Sequence, residues 1–241
     1  MPRKLRQVEP GAVYHFIARF VANEWLIPTD VERRQYLHLL GRGLRGSDWK
    51  CISYGIMSSH VHLGILAGQQ PMTRWLRGAH GIFADWINIR RARIGAVFVR
   101  GPKLLKVKTF GVNDLVAYIH NNPVRAGVVA SPDATDWTSY RAYSRGIRLP
   151  WLDVETGVRL ARMPDAQSVA AHALVSRASR ADFEIPRRNA RGPGEHGEHD
   201  EYDEFDEFDE FDEYLGDEDE GEDEDDAGAP STVDSVSSAS G

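Results

Sequence analysis

The chain has 241 residues and a formal net charge of −7, from 29 Lys and Arg against 36 Asp and Glu. These charges are segregated: all 29 basic residues and only 14 acids precede Glu195, which gives that body +15, while residues 195–241 carry 22 acids and no Lys or Arg. The overall acidity therefore conceals a basic body suited to a polyanion such as nucleic acid. A single cysteine, Cys51, excludes an intramolecular disulfide, and no run of about 18 apolar residues is present to span a membrane, so a cytoplasmic protein with no membrane partner is expected.

Residues 13–20 are rich in β-branched and aromatic side chains and predict a first strand, with Val13, His15, Ile17 and Arg19 on one face. Thr29 or Asp30 caps a predicted helix to Leu44, apolar at Tyr36, Leu37, Leu39, Leu40 and Leu44 and ended by Gly46. Two apolar runs follow, residues 50–56 and 57–66, read as adjacent strands joined by a small polar turn. In the second, alternation puts His60 and His62 on one face and Val61, Leu63 and Ile65 on the other. Two imidazoles on one face suit a shared metal ion, although on their own they fit a solvated face equally well.

A second long helix is predicted over residues 71–93, apolar at Met72, Trp75, Leu76, Ala79, Ile82, Phe83 and Trp86. Residues 95–110 alternate apolar and basic side chains around Gly101-Pro102, which predicts a hairpin whose polar face carries Arg100, Lys103, Lys106 and Lys108. Asn113 caps the next predicted helix, with Leu115, Val116 and Ile119 buried. Tyr118 and Asn122 share a face of it at i and i+4, and His120 points elsewhere. Pro123 predicts a kink or a fresh helical turn before Gly127. The order β-α-β-β-α-β predicts an α+β, ferredoxin-like antiparallel sheet with helices on one face.

Three stretches carry a family resemblance. Met57-Ser58-Ser59-His60-Val61-His62-Leu63 looks like the HUH motif of single-tyrosine transposases. Tyr118-Ile119-His120-Asn121-Asn122-Pro123-Val124-Arg125-Ala126-Gly127, followed by Trp137-Thr138-Ser139-Tyr140-Arg141-Ala142-Tyr143, resembles the REP-associated tyrosine transposases. Pro10-Gly11-Ala12-Val13-Tyr14-His15 is similar to their opening. The likeness covers residues 8–153 in consistent order. It implies a DNA strand-cleaving and rejoining enzyme in which Tyr118 is the nucleophile, forming a 5′-phosphotyrosine link, and His60, His62 and Asn122 hold Mg²⁺ or Mn²⁺. The implied partner is single-stranded or hairpin DNA, with Arg19, Arg100, Lys103, Lys106, Lys108 and Arg125 as candidate phosphate contacts. Between Val99 and Leu105, Gly101-Pro102 departs from the family's more polar and basic pattern, which bears on DNA specificity rather than on the chemistry. The rival reading is a domesticated protein that holds structured DNA without cutting it, and either a monomer or a homodimer is compatible with the sequence.

The predicted organisation is a transposase-like domain over 1–153, a helical extension over 154–185, and a linker with an acidic tail over 186–241. The tail's acids surround aromatics at Tyr202, Phe205, Phe208, Phe211 and Tyr214, and mutual repulsion predicts disorder. Its charge and its stacking side chains make it an expected intramolecular competitor for the DNA-binding face.

Overall fold

The computed structural model describes residues 8–99 and 101–185. The expected tail, its competitor role and Arg100 lie outside the described residues.

Four strands, β1 (Val13–Arg19), β2 (Lys50–Ile56), β3 (His60–Leu66) and β4 (Lys103–Lys106), form one antiparallel sheet in the order β2-β3-β1-β4. This is the strand order of the expected ferredoxin-like unit. Helix α1 (Asp30–Arg45) runs between β1 and β2, and α2 (Thr73–Leu76) and α3 (Ile82–Arg90) lie between β3 and β4. Thr29 and Glu32 form a reciprocal capping box at the start of α1, which satisfies the first orphan amides of that helix. Alternation along the strands sorts side chains into two cores. Tyr14, Phe16, Ala18, Val61, Leu63 and Ile65 face α1, α2 and α3 through Tyr36, Leu40, Trp75 and Phe83.

The opposite face receives α4 (Val112–Arg125), whose Leu115, Val116 and Ile119 pack with Val13, Ile52 and Val107. Helices α5 (Tyr140–Arg145), α6 (Val154–Ala161), α7 (Ala166–Val175) and α8 (Arg180–Phe183) complete this layer, with Tyr143, Val169 and Phe183 in the same core. Two sheet glycines let α4 approach closely. A Cβ on Gly55 would lie 3.0 Å from the Ile119 carbonyl oxygen, and one on Gly64 would lie 2.4 Å from Ser53 Oγ and 3.2 Å from Leu115 Cδ2.

Several expectations are corrected. Residues 95–110 are not a hairpin: Phe98 bridges Phe20, and β4 pairs with Tyr14–Ile17, so stretches on both sides of Gly101 run along β1 at the same sheet edge. Alternation is common to an edge strand and a hairpin arm, and Gly101, at φ 64°, breaks the ladder without reversing the chain. The helix expected over 71–93 is two helices joined by a π-helical turn, Arg77–Gly81. The start of α4 is capped by Gly111, not Asn113. That helix also continues through Pro123 to Arg125. Proline has no N–H for the carbonyl four residues back, and here that carbonyl, on Ile119, lies against Gly55 of the sheet. The helical extension expected over 154–185 consists of the three short helices α6, α7 and α8.

Residues 183–185 return to the sheet edge. Glu184 bridges Val107, the Lys108 amide donates to Phe183 O at 2.7 Å and the Ile185 amide donates to Lys106 O at 2.8 Å. Among the described residues, no helix is long and apolar enough to cross a membrane.

A histidine and tyrosine cluster between the sheet and α4

In the β1–β3 ladder His60 stands opposite Arg19, His62 opposite Ile17 and Gly64 opposite His15. Directly paired residues point to the same face, so His15, Arg19, His60 and His62 all project toward the α4 side. Gly64 and Gly55 leave that face shallow where α4 crosses, and the helix lowers its i and i+4 residues, Tyr118 and Asn122, onto the histidines. The Tyr118 ring centroid is 6.0 Å from that of His62, and the His60 and His62 rings are 4.8 Å apart and nearly perpendicular. Asn122 lies near enough to His60 to favour its protonated form, and Ser59 Oγ lies 3.0 Å from His60 Nδ1. The four side chains that the sequence assigned to the chemistry are therefore neighbours within a single chain.

Burial, followed by the fields of His15, His60 and Arg19, holds His62 well below the ordinary histidine range. His60 is pushed down to about 4, chiefly by burial and then by Arg19, with Asn122 opposing. Both imidazoles are thus neutral at physiological pH, the form that binds metal. Two neutral imidazoles and an amide are a donor set suited to a divalent ion that keeps positions open for other oxygens. Among the described residues no group of three or more His, Cys, Asp or Glu could hold a metal ion, so a site at this histidine pair would need a donor of another type.

Two residues that sequence reasoning passed over complete the cluster. His15, placed by alternation on the Arg19 face of β1, is wholly buried. Its Nε2 lies 2.8 Å from His62 Nδ1 and its Nδ1 lies 2.6 Å from Glu184 Oε1. Glu184 in turn accepts from Arg180 Nε at 2.9 and 3.0 Å. Phe183 packs on both His15 and Tyr118 at 5.6 and 5.3 Å between centroids. Alternation put His15 on the Arg19 face of β1, and the β1–β3 register brings that face to the histidine pair. Glu184 gave no such signal.

The candidate phosphate contacts separate. Arg19 is exposed beside His60. Arg125 lies over the Tyr118 ring, with its guanidinium carbon 5.0 Å from the centroid, and donates to Ala178 O at 2.9 Å. Lys106 pairs with Glu9, and Lys108 Nζ donates to Ala181 O and Asp182 O at 2.7 and 3.2 Å. Lys103 stands opposite Ile17 on β4. His120 points away from the cluster as expected, buried and 2.8 Å from Ser139 Oγ.

No protein-family profile and no curated protein matches this chain. Among solved structures it is similar to a REP-associated tyrosine transposase bound to a REP hairpin, at 16% identity and a TM-score of 0.49, over 64% of this chain and 93% of that one. It is also similar to a putative transposase from Deinococcus radiodurans R1, at 16% identity and a TM-score of 0.35, over 50% of this chain and 97% of that one.

Proposed function

We propose that the protein is a metal-dependent tyrosine transposase of the HUH type that cleaves and rejoins single-stranded, hairpin-bearing DNA. One observation carries this reading: Tyr118 sits beside His62 while Asn122, one turn later on the same helix, is close enough to His60 to act on its protonation. A core aromatic and a helix-end amide have no reason to converge on two neutral imidazoles, one of them buried. A nucleophile next to a site for charge stabilisation has one. The family resemblance of the same residues adds to this.

His60, His62 and Asn122 would hold Mg²⁺ or Mn²⁺. That ion would supply Lewis-acid stabilisation of the charge that develops on the phosphate oxygens. Tyr118 Oη attacks phosphorus as its proton departs to solvent, the bond from phosphorus to the 3′ oxygen breaks, and that oxygen leaves as a 3′-hydroxyl after taking up a proton. The product is a 5′-phosphotyrosine, and attack by a 3′-hydroxyl on it reverses the step and rejoins a strand. Tyr118 and the histidines belong to one chain, so the tyrosine can act in cis. Arg125 orders the Tyr118 ring by a cation–π contact. Exposed Arg19 borders His60 where a scissile phosphate would arrive, and Lys103 extends the basic rim. Lys106 and Lys108 spend their charge within the chain, which leaves Arg19 as the foremost candidate for a phosphate contact.

The test is to incubate the full-length protein with end-labelled, hairpin-bearing single strands and Mn²⁺. A denaturation-resistant protein–DNA adduct is expected, and it should disappear with chelator. Hairpin binding with no adduct under any divalent ion would instead make the protein a structured-DNA-binding protein.

A further inference from the structure

We infer that Glu184 and His15 are positioning residues that fix which nitrogen of His62 carries its proton, and so hold Nε2 of His62 open for a metal ion. The inference rests on the metal-site reading above and follows from counting protons along one hydrogen-bonded chain. Arg180 Nε contacts both oxygens of Glu184, at 2.9 and 3.0 Å. Burial alone would raise the pKa of Glu184, but its hydrogen bonds from His15 and Arg180 outweigh burial and hold it below the ordinary carboxylate range. An ionised carboxylate only accepts, so the 2.6 Å contact to Glu184 places a proton on His15 Nδ1. His15 is wholly buried and Glu184 is already paired with Arg180, so a second proton on His15 would be a poorly compensated buried charge; the neutral ring then has only a lone pair at Nε2. The 2.8 Å contact from that atom to His62 Nδ1 therefore requires a proton on His62 Nδ1, and neutral His62 keeps its lone pair on Nε2. Reversing the chain would put the His62 proton on Nε2 and close that nitrogen to a metal. Carboxylate partners of this kind orient histidine ligands and raise their basicity. Here the carboxylate acts through a second imidazole, and it reaches the site only because residues 183–185 pair with the sheet edge at Val107.

The test uses the full-length protein. In the metal-free protein, ¹⁵N–¹H long-range correlation of the histidine rings, assigned with His62→Ala and His15→Gln, is expected to find the Nδ1–H form at both His15 and His62. Glu184→Gln keeps shape but allows donation as well as acceptance, so His62 should shift toward a mixture of tautomers. Mn²⁺ affinity, read by calorimetry or by the free-ion EPR signal, should fall about 10- to 100-fold. An Nε2–H form of His62 in the wild-type protein, or protons on both nitrogens of His15, would overturn the inference without any variant. So would Glu184→Gln with unchanged tautomer and unchanged Mn²⁺ affinity. Failure of the metal-site reading has a different signature: His60→Ala and His62→Ala would bind Mn²⁺ as the wild type does, whatever the tautomers.

Discussion

The seat of α4 on two glycines sets the distance between Tyr118 and the histidines, so Gly55→Ala is a direct probe of how tightly that distance is held. An added Cβ would lie 3.0 Å from Ile119 O and 3.3 Å from Ile119 Cγ2. The nearest atom is backbone, so no rotamer change relieves it, and reaching ordinary contact at 3.4 Å requires the carbonyl to retreat by about 0.4 Å. That carbonyl lies in the turn between Tyr118 and Asn122, so its retreat carries both away from His60 and His62. Overpacking of this kind costs about 1–3 kcal/mol of stability. If a 1 Å displacement costs about a hundredfold in rate, 0.4 Å costs about sixfold. Gly64→Ala is the comparison: its nearest contact is Ser53 Oγ at 2.4 Å, a buried hydroxyl without a hydrogen-bond partner, and turning it aside leaves only Leu115 Cδ2 and Ile52 Cγ1 at 3.2 and 3.3 Å. Gly64→Ala should therefore lower stability with less effect on rate. Urea unfolding and single-turnover adduct formation at saturating Mn²⁺ separate the two. Wild-type rate and stability in Gly55→Ala would refute the close-approach argument.

Tyr118→Phe should abolish the covalent adduct while hairpin affinity stays within a few-fold, because the ring still packs against Phe183 and under Arg125; an adduct in this variant would remove Tyr118 from its role. His60→Ala and His62→Ala should each lose metal-dependent cleavage, and Asn122→Ala should lose less because water can replace a neutral amide; full activity of Asn122→Ala at limiting metal would make it a helix-end residue only. Burial pushes His80 and His120 down to about 3, well below the ordinary histidine range. Below about pH 6.5 the unfolded chain takes up protons at these two positions that the native fold refuses, so stability falls as the pH drops toward about 3. Each contributes a slope of about 1.4 kcal/mol per pH unit. His120→Gln should flatten the urea-unfolding free energy between pH 6 and pH 4 by about that amount, and an unchanged slope would contradict it.

Much of this fold is legible in the sequence because local periodicity and tertiary burial agree. Alternation pairs His60 with His62 in β3 and His15 with Arg19 in β1, the strand register joins the two faces, and the i, i+4 spacing in α4 brings Tyr118 and Asn122 together. Legibility fails where a long-range contact decides. Alternation over 95–110 could not distinguish a hairpin from an edge strand, because the partner is β1, some 90 residues earlier. The local rule for Pro123 gave way because α4 rests on Gly55 and Gly64, a packing relation no helix pattern encodes. Glu184 was invisible for the same reason: it is separated from His15 by 169 positions, and it belongs to a stretch whose only sequence signal was weak helicity.

The central claim, that Tyr118 is a nucleophile served by the histidine site, is tested most directly by locating the covalent bond. The Mn²⁺-dependent adduct with a hairpin-bearing strand would be digested with protease and nuclease, and the nucleotide-bearing peptide sequenced by tandem mass spectrometry. The account predicts a peptide spanning Tyr118 with a 5′-linked phosphate on its phenolic oxygen and a free 3′-hydroxyl on the released strand. A nucleotide on any other residue, or a 3′-linked phosphate on Tyr118, would contradict it.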